Sequence, residues 1–307
     1  MNRAARIAVA VTTLVASVVA LAVLFVVRDE PGAGKPSTGG TIAPVSTSVP
    51  RVTKVMVVMV ENHSLSQMKA GMPKTFAFAS KYAYASNYYA IRHPSLPNYI
   101  AIASGSTYGI TDDKPPSAHQ LKGRSVFSQA LANGRTARTY ADSMPSNCYL
   151  SNYGYYAVRH NPWTYFVDSR TGCRKYDNPA SRFATDAAGG HLPNVGFLIP
   201  NVVHDAHDGT LAQADDWIAR RINMMTSGPD WAAGRLAIVI TADEDAHNEG
   251  NRVLTVVGSK YQAHKVVTTR LNHYSLTRFI EDVLHVSHLR NARYAADMRA
   301  AFGVRVS

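Results

Sequence analysis

Four short segments gather groups that could do chemistry: Glu61-Asn62-His63, His93-Pro94-Ser95-Leu96-Pro97-Asn98-Tyr99, His204-Asp205-Ala206-His207-Asp208 and Asp243-Glu244-Asp245. Glu61 and Asn62 offer hard oxygen ligands for a divalent cation, although the same pair also reads as a turn. Three consecutive carboxylates at 243–245 repel one another unless a cation or a basic group compensates. The alternative is a solvated acidic turn. Ser95 stands where a helix begins, with Pro97 tolerated in the first turn. It is either a capping serine or a nucleophile aided by a metal and by backbone N–H groups. Two His and two Asp within positions 204–208 are costly to bury unpaired, so metal ligation or phosphate contact is their natural use. Their spacing fits no common zinc motif. Taken alone, His160 and His273 read as ordinary loop and helix-start residues.

The elements that must hold these groups are legible as apolar runs. Val52–Val60, Val195–Ile199, Leu236–Thr241 and Val253–Val257 read as buried strands of parallel type. Helical patterns cover 74–82, 96–104, 125–133, 211–226 and 274–284. Alternation of the two predicts an α/β fold: a largely parallel central sheet with helices on both faces. Glu61, the 204–208 group and Asp243 then follow strand ends, where open α/β sheets bind ligands. The segment 106–190 lacks periodicity and is expected to form long loops over that edge.

The chain has 307 residues, 46% of them hydrophobic and 17% charged, which excludes a disordered protein. The net charge of +11 suits an acidic partner, phosphate esters and anionic phospholipid headgroups among them. No helix-turn-helix, zinc finger or interleaved basic–aromatic motif is present, so nucleic acid is not expected. Arg3 and Arg6 precede an uncharged run of 21 residues, Ile7–Val27, long enough to span a bilayer. No small-residue cleavage site follows directly, so residues 1–28 are read as an uncleaved signal anchor, with a cleaved signal as the alternative. In 31–50, 14 of 20 residues are Gly, Pro, Ser or Thr; residues 29–51 form a linker and 52–307 the ordered domain. That domain is placed on the extracytoplasmic face of the membrane, or secreted if the signal is cleaved. Cys148 and Cys173 would there form a disulfide, or else remain two buried thiols.

These pieces, in this order, resemble one family. ENH after the first strand, HPSLPNY, PNVVHDAHDG, the TADED strand end and NHYSLTRFIED are similar to the secreted bacterial phosphoesterases. These comprise acid phosphatases and related phospholipases C within the alkaline-phosphatase-like fold. The type most resembled is the single-domain actinobacterial secreted acid phosphatase. The resemblance covers Val52 to Leu284. It implies that Glu61, Asn62, Ser95, Asp243 and Glu244 hold a metal, with Asp245 behind them, and that Ser95 is the nucleophile. It places His204 and His207 in catalysis, and His93, His160, Asp205, Asp208 and His273 near the substrate. The cation is divalent (Ca, Mg, Mn or Zn).

The expected reaction is hydrolysis of phosphate monoesters by a monomeric enzyme through a phosphoserine. The metal and helix N–H groups would stabilise phosphate oxygens, and a protonated histidine would aid the leaving alcohol, favouring mildly acidic pH. The alternatives are a phosphodiesterase of phospholipase C type, and a membrane-anchored protein that binds phosphate or lipid without turnover.

Overall fold

A computed structural model describes residues 49–306. Its centre is β1 (Lys54–Val60), KVMVVMV, whose residues after Lys54 are all valine or methionine and all buried. β2 (Ala83–Ala85), β3 (Tyr88–Tyr89), β4 (Ala137–Ala141), β5 (Asp177–Pro179), β6 (Val195–Ile199), β7 (Leu236–Ala242), β8 (Thr255–Ser259), β9 (Lys265–Val267) and β10 (Leu271–Asn272) follow. Eight of them form one sheet in the order β5-β4-β6-β1-β7-β8-β2-β9, and β10 pairs with β3 apart from it.

β1 lies parallel between β6 and β7, with Val57 opposite Phe197 on one side and Val239 on the other. The chain therefore crosses over β1 in passing from β6 to β7. The carboxyl end of β1 is the crevice where such sheets bind ligands. β8 departs from the parallel expectation: it runs antiparallel to both β7 and β2. Its apolar run indicates burial on both faces, and burial carries no strand direction. The 106–190 segment is also more ordered than expected. It contributes β4 and β5 to the sheet, and seven short helical pieces lie from Val126 to Ala188.

Three helices fix the site edge. Helix Ser95–Ser104 is buried at all ten positions, so it is a core element that carries its first residue rigidly. Helix His273–Leu284 packs on it, with Thr277 Oγ1 donating to the Ala101 carbonyl at 2.8 Å. It starts at Asn272, whose side chain accepts from the N–H groups of Tyr274 and Ser275. Helix Leu211–Ser227 opens with a Thr210/Gln213 capping box and buries Ala214, Trp217, Ile218, Ile222 and Met225, a helical stripe.

Cys148 and Cys173 are joined in a disulfide. The membrane expectation is corrected: among the described residues no helix is long and apolar enough to cross a membrane. A membrane partner through such a helix is therefore without support. The Ile7–Val27 run that prompted it lies outside the described residues, as does the linker up to residue 48.

Glu281, wholly buried near the end of its helix, is pushed up to about 8 by burial even though Oε1 accepts the Leu289 N–H at 2.8 Å. A raised carboxyl means that the folded state holds the extra proton. Stability then falls as pH rises from about 4.5 to 8, and the loss is complete above that window. Glu281→Gln is expected to remove this fall. Thermal unfolding should show it roughly 3 kcal/mol more stable than the parent at pH 9, with little difference at pH 4. Equal pH dependence in the two proteins would contradict the assignment.

Candidate active site

The first group is set by two adjacent strand ends. Asp243 N–H donates to the Val60 carbonyl at 3.0 Å, extending the β1–β7 ladder by one residue, and Asn62 N–H returns to Asp243 Oδ1 at 3.0 Å. Asn62 has φ of 54°, a left-handed turn that asparagine tolerates better than other non-glycine residues. Glu61 N–H donates to the Asp205 carbonyl at 2.8 Å, which ties the turn after β6 to the same edge.

Ser95 is the first residue of its helix, preceded by Pro94 in extended conformation. Its side chain caps nothing. Instead Oγ donates to Glu61 Oε1 at 2.5 Å. Four residues on, and so on the same helix face, Tyr99 OH donates to Glu61 Oε2 at 3.0 Å. Three residues on, Asn98 Nδ2 donates to Glu244 Oε2 at 3.2 Å. The helix start differs from the expectation in one respect: Leu96 N–H is already taken by Asp113 Oδ1 at 2.8 Å.

His160 arrives from a loop. Its Nε2 lies 3.0 Å from Glu61 Oε1 and its Nδ1 3.0 Å from Asp205 Oδ2. Its ring stacks on Tyr99 at 5.0 Å. Neither nitrogen is aligned for a hydrogen bond, and Asn62 Oδ1, Asp205 Oδ2 and Asp243 Oδ2 are also buried without one. Buried polar atoms without a properly directed partner on four neighbouring segments leave room for a further polar group at this edge.

The charges agree. Burial alone would raise Glu61, but the positive charge and close contact of His160, with the hydrogen bond from Ser95, outweigh it and hold the carboxyl at about 2. Burial would likewise lower His160, yet Glu61 and Asp205 bring it up to about 9. Asp243 is pushed well above the carboxylate range by burial and then by Glu61 and Glu244. Glu244 rises to about 8 by burial and the surrounding carboxylates. Such repulsion is what a divalent cation relieves. Ligand atoms of Glu61, His160 and Asp205 lie within 4.8 Å of one another, an oxygen-rich set with one imidazole that suits a divalent cation.

The sequence-predicted residues thus separate into a centre and its surroundings. Glu61, Asn62, Ser95, Asp243 and Glu244 are brought together. His160 and Asp205, expected near the substrate, join them at the candidate metal cluster. The others stand around this centre. His93 lies between Glu244 Oε1 and Asp245 Oδ1, 3.2 Å from each, and stacks on His247 at 3.7 Å. Asp245 instead accepts four backbone N–H groups from 247–251 and shapes its own loop. His204 Nδ1 meets Asp142 Oδ2 at 2.7 Å, and its ring stacks on Trp217. His207 pairs with exposed Asp208 at 2.6 Å, its ring 6.4 Å from His160. His273 is wholly buried: Nε2 bonds the Asp243 carbonyl at 2.6 Å and Nδ1 the Tyr88 hydroxyl at 3.1 Å. Burial lowers it to about 4, so it is a neutral brace under Asp243.

Sequence reasoning assigned no role to Asn98, Tyr99, Asp113, Asp142, Tyr88 or His247. For Asn98 and Tyr99 the signal was present, because they stand three and four residues after Ser95.

The sequence profile of the Phosphoesterase family matches residues 68–287. The chain belongs to that family. Among similar proteins, a phosphatidylinositol-3-phosphatase of Mycobacterium tuberculosis is 28% identical over 243 residues, covering 78% of this chain and 79% of its own. A phosphate-repressible acid phosphatase of Penicillium chrysogenum is 29% identical over 207 residues, 62% of this chain and 49% of its own. The chain therefore spans only about half of that fungal relative. Of solved structures, a protein in the alkaline phosphatase superfamily from Vibrio parahaemolyticus superposes with a TM-score of 0.55 at 10% identity, over 82% of this chain and 71% of that one. At that identity the match speaks for the fold, which is alkaline-phosphatase-like. This Phosphoesterase member is a hydrolase whose buried Glu61/His160/Asp205 cluster can coordinate a divalent cation.

Proposed function

We propose that the protein hydrolyses phosphate monoesters through a phosphoserine on Ser95, with residues 52–307 as the catalytic domain, outside the cytoplasm. The observation that carries this reading is the Ser95 hydroxyl, held at 2.5 Å from Glu61 on a fully buried helix. It sits beside carboxylates that need a cation. The names of the relatives, phosphatidylinositol-3-phosphatase and acid phosphatase, favour monoesters over diesters. The disulfide supports an oxidising compartment.

Glu61, His160 and Asp205 would hold the cation, with Asn62, Asp243 and Glu244 as further ligands beside them. The bound cation would lower the Ser95 hydroxyl pKa and neutralise phosphate charge. Ser95 Oγ attacks phosphorus while the bond to the leaving oxygen breaks, and the hydroxyl proton passes to Glu61 Oε1. Protonated His204 gives its proton from Nε2 to the leaving oxygen. Its Nδ1 is held by Asp142, and Nε2 makes no hydrogen bond among the described residues. In the second step water attacks phosphorus and the Oγ–P bond breaks; one proton of the water passes to His204, and Glu61 returns its proton to Ser95 Oγ.

Purified protein is expected to release phosphate faster from p-nitrophenyl phosphate than product from bis-p-nitrophenyl phosphate, and to lose both activities on chelation. Faster cleavage of the diester would replace the monoester reading with a phosphodiesterase. His204→Gln should cost about 10²-fold or more on an alkyl phosphate, whose leaving group needs a proton. On the p-nitrophenyl ester, whose leaving group does not, the loss should be tenfold smaller. Equal losses on both would remove His204 from that role.

A further inference from the structure

His160 is presented by neither a sheet strand nor a long helix. It lies within the loop that the Cys148–Cys173 disulfide closes, the two cysteines being 25 positions apart. In that loop two short turns, Val158–His160 and Pro162–Tyr165, meet at Asn161. Asn161 is wholly buried, and its Nδ2 donates to both carboxylate oxygens of Asp177, at 3.0 and 2.9 Å, and contacts Tyr156 OH at 3.1 Å.

Asp177 is wholly buried in edge strand β5. It also accepts from Thr139 Oγ1, its register partner on β4. The disulfide grips the same residue from two sides. Cys148 N–H donates to the Asp177 carbonyl at 3.1 Å, and Cys173 Sγ lies 3.6 Å from Asp177 Oδ2. An unbroken series of contacts thus runs from the covalent bond to Asp177, to Asn161, and by one peptide link to His160 beside Glu61.

We propose that the Cys148–Cys173 disulfide, acting through Asp177 and Asn161, positions His160, so that affinity for the divalent cation depends on the oxidation of this pair. The inference rests on the reading of His160 as a cation ligand. Reduction breaks the S–S bond and leaves two thiols: a dithiol supplies two electrons and two protons and becomes a disulfide, whereas a phosphine supplies the electrons, takes oxygen from water as the phosphine oxide, and leaves water's protons on the thiols. The loop is then free at its base, and binding the cation must order it again. Oxidation by a small-molecule disulfide such as oxidised glutathione withdraws the two electrons and two protons and restores the bond. A chain in a reducing compartment would therefore hold its cation weakly and acquire full affinity only once oxidised. Outer supports of metal ligands commonly set affinity by 10–100-fold.

The test is titration of the full-length protein with Mn²⁺, followed by calorimetry. Phosphine-reduced protein, the Cys148→Ser/Cys173→Ser double variant and Asp177→Asn are each expected to bind Mn²⁺ at least about tenfold more weakly than oxidised parent. Reoxidation of the reduced protein should restore the parent value. Phe302→Ala, a core truncation at the other end of the chain, should lower the melting temperature without moving the affinity, which separates positioning from general destabilisation. Thr139→Val, which removes a single hydrogen bond to Asp177, serves if the cysteine variant fails to fold, with about threefold weaker binding expected. Affinities within twofold of the parent in reduced protein and in Asp177→Asn would overturn the inference alone. No Mn²⁺ binding by oxidised parent would overturn the cation reading and this inference with it.

Discussion

Ser95→Ala is expected to lower phosphate-ester turnover by about 10⁴-fold or more while the domain stays folded. The side chain removed is one oxygen. Its hydroxyl donates to Glu61, which keeps a second partner in Tyr99. The helix does not depend on that hydroxyl for capping, so the cost to stability is small, about 1 kcal/mol. The chemical cost is large because the attack and the covalent intermediate are both lost. Two readouts separate this from a binding defect. Mn²⁺ affinity should fall by less than about tenfold, since Glu61, Asp243 and His160 remain. Acid-quenched parent should carry one phosphate on the peptide containing residue 95, and the variant none. Substantial turnover by Ser95→Ala would sink the phosphoserine mechanism, leaving direct attack by water.

What could be read from the residues alone follows from how locally each feature is determined. β1 and β7 are continuous apolar runs, so their ends, and with them Glu61 and Asp243, are marked in the sequence. β4 reads Ala-Arg-Thr-Tyr-Ala, with a charged residue inside and no alternation, and only its neighbours β5 and β6 make it a strand. Asp142 at its end, which holds His204, had no local signature for the same reason. His160 and Asp205 were visible as polar residues, but their meeting at Glu61 depends on where the loop 148–173 is tied down. His273 shows the converse. Its position before a helix is evident, whereas its burial under Asp243 is decided by the packing of that helix on the Ser95 helix. The Ile7–Val27 run illustrates a different limit: an apolar stretch indicates transfer out of water, and the described residues contain no such helix.

Asp243→Asn is expected to make the cation-free protein more stable while abolishing its response to cation. Asp243 is wholly buried, and one of its oxygens has no hydrogen-bond partner. Burial, then Glu61 and Glu244, push its carboxyl well above the ordinary value of 3.8. The folded, cation-free state therefore holds a proton that the unfolded chain has released, and its stability falls as pH rises above about 4. An amide keeps an oxygen for the Asn62 N–H and carries no charge. The variant should be on the order of 2 kcal/mol more stable than the parent in chelator at pH 8, with the gain shrinking towards pH 4. Saturating Mn²⁺ should reverse the order. The parent gains about 2.7 kcal/mol at a hundredfold excess over Kd, and the variant gains little because its site has lost a charged ligand. Activity should fall by roughly 10³-fold with that ligand. Melting curves at four corners, parent and variant with chelator and with Mn²⁺, measure this directly. A variant less stable than the parent in chelator at pH 8 would mean that the carboxylate is well accommodated without a cation. The electrostatic argument for the site would then fail.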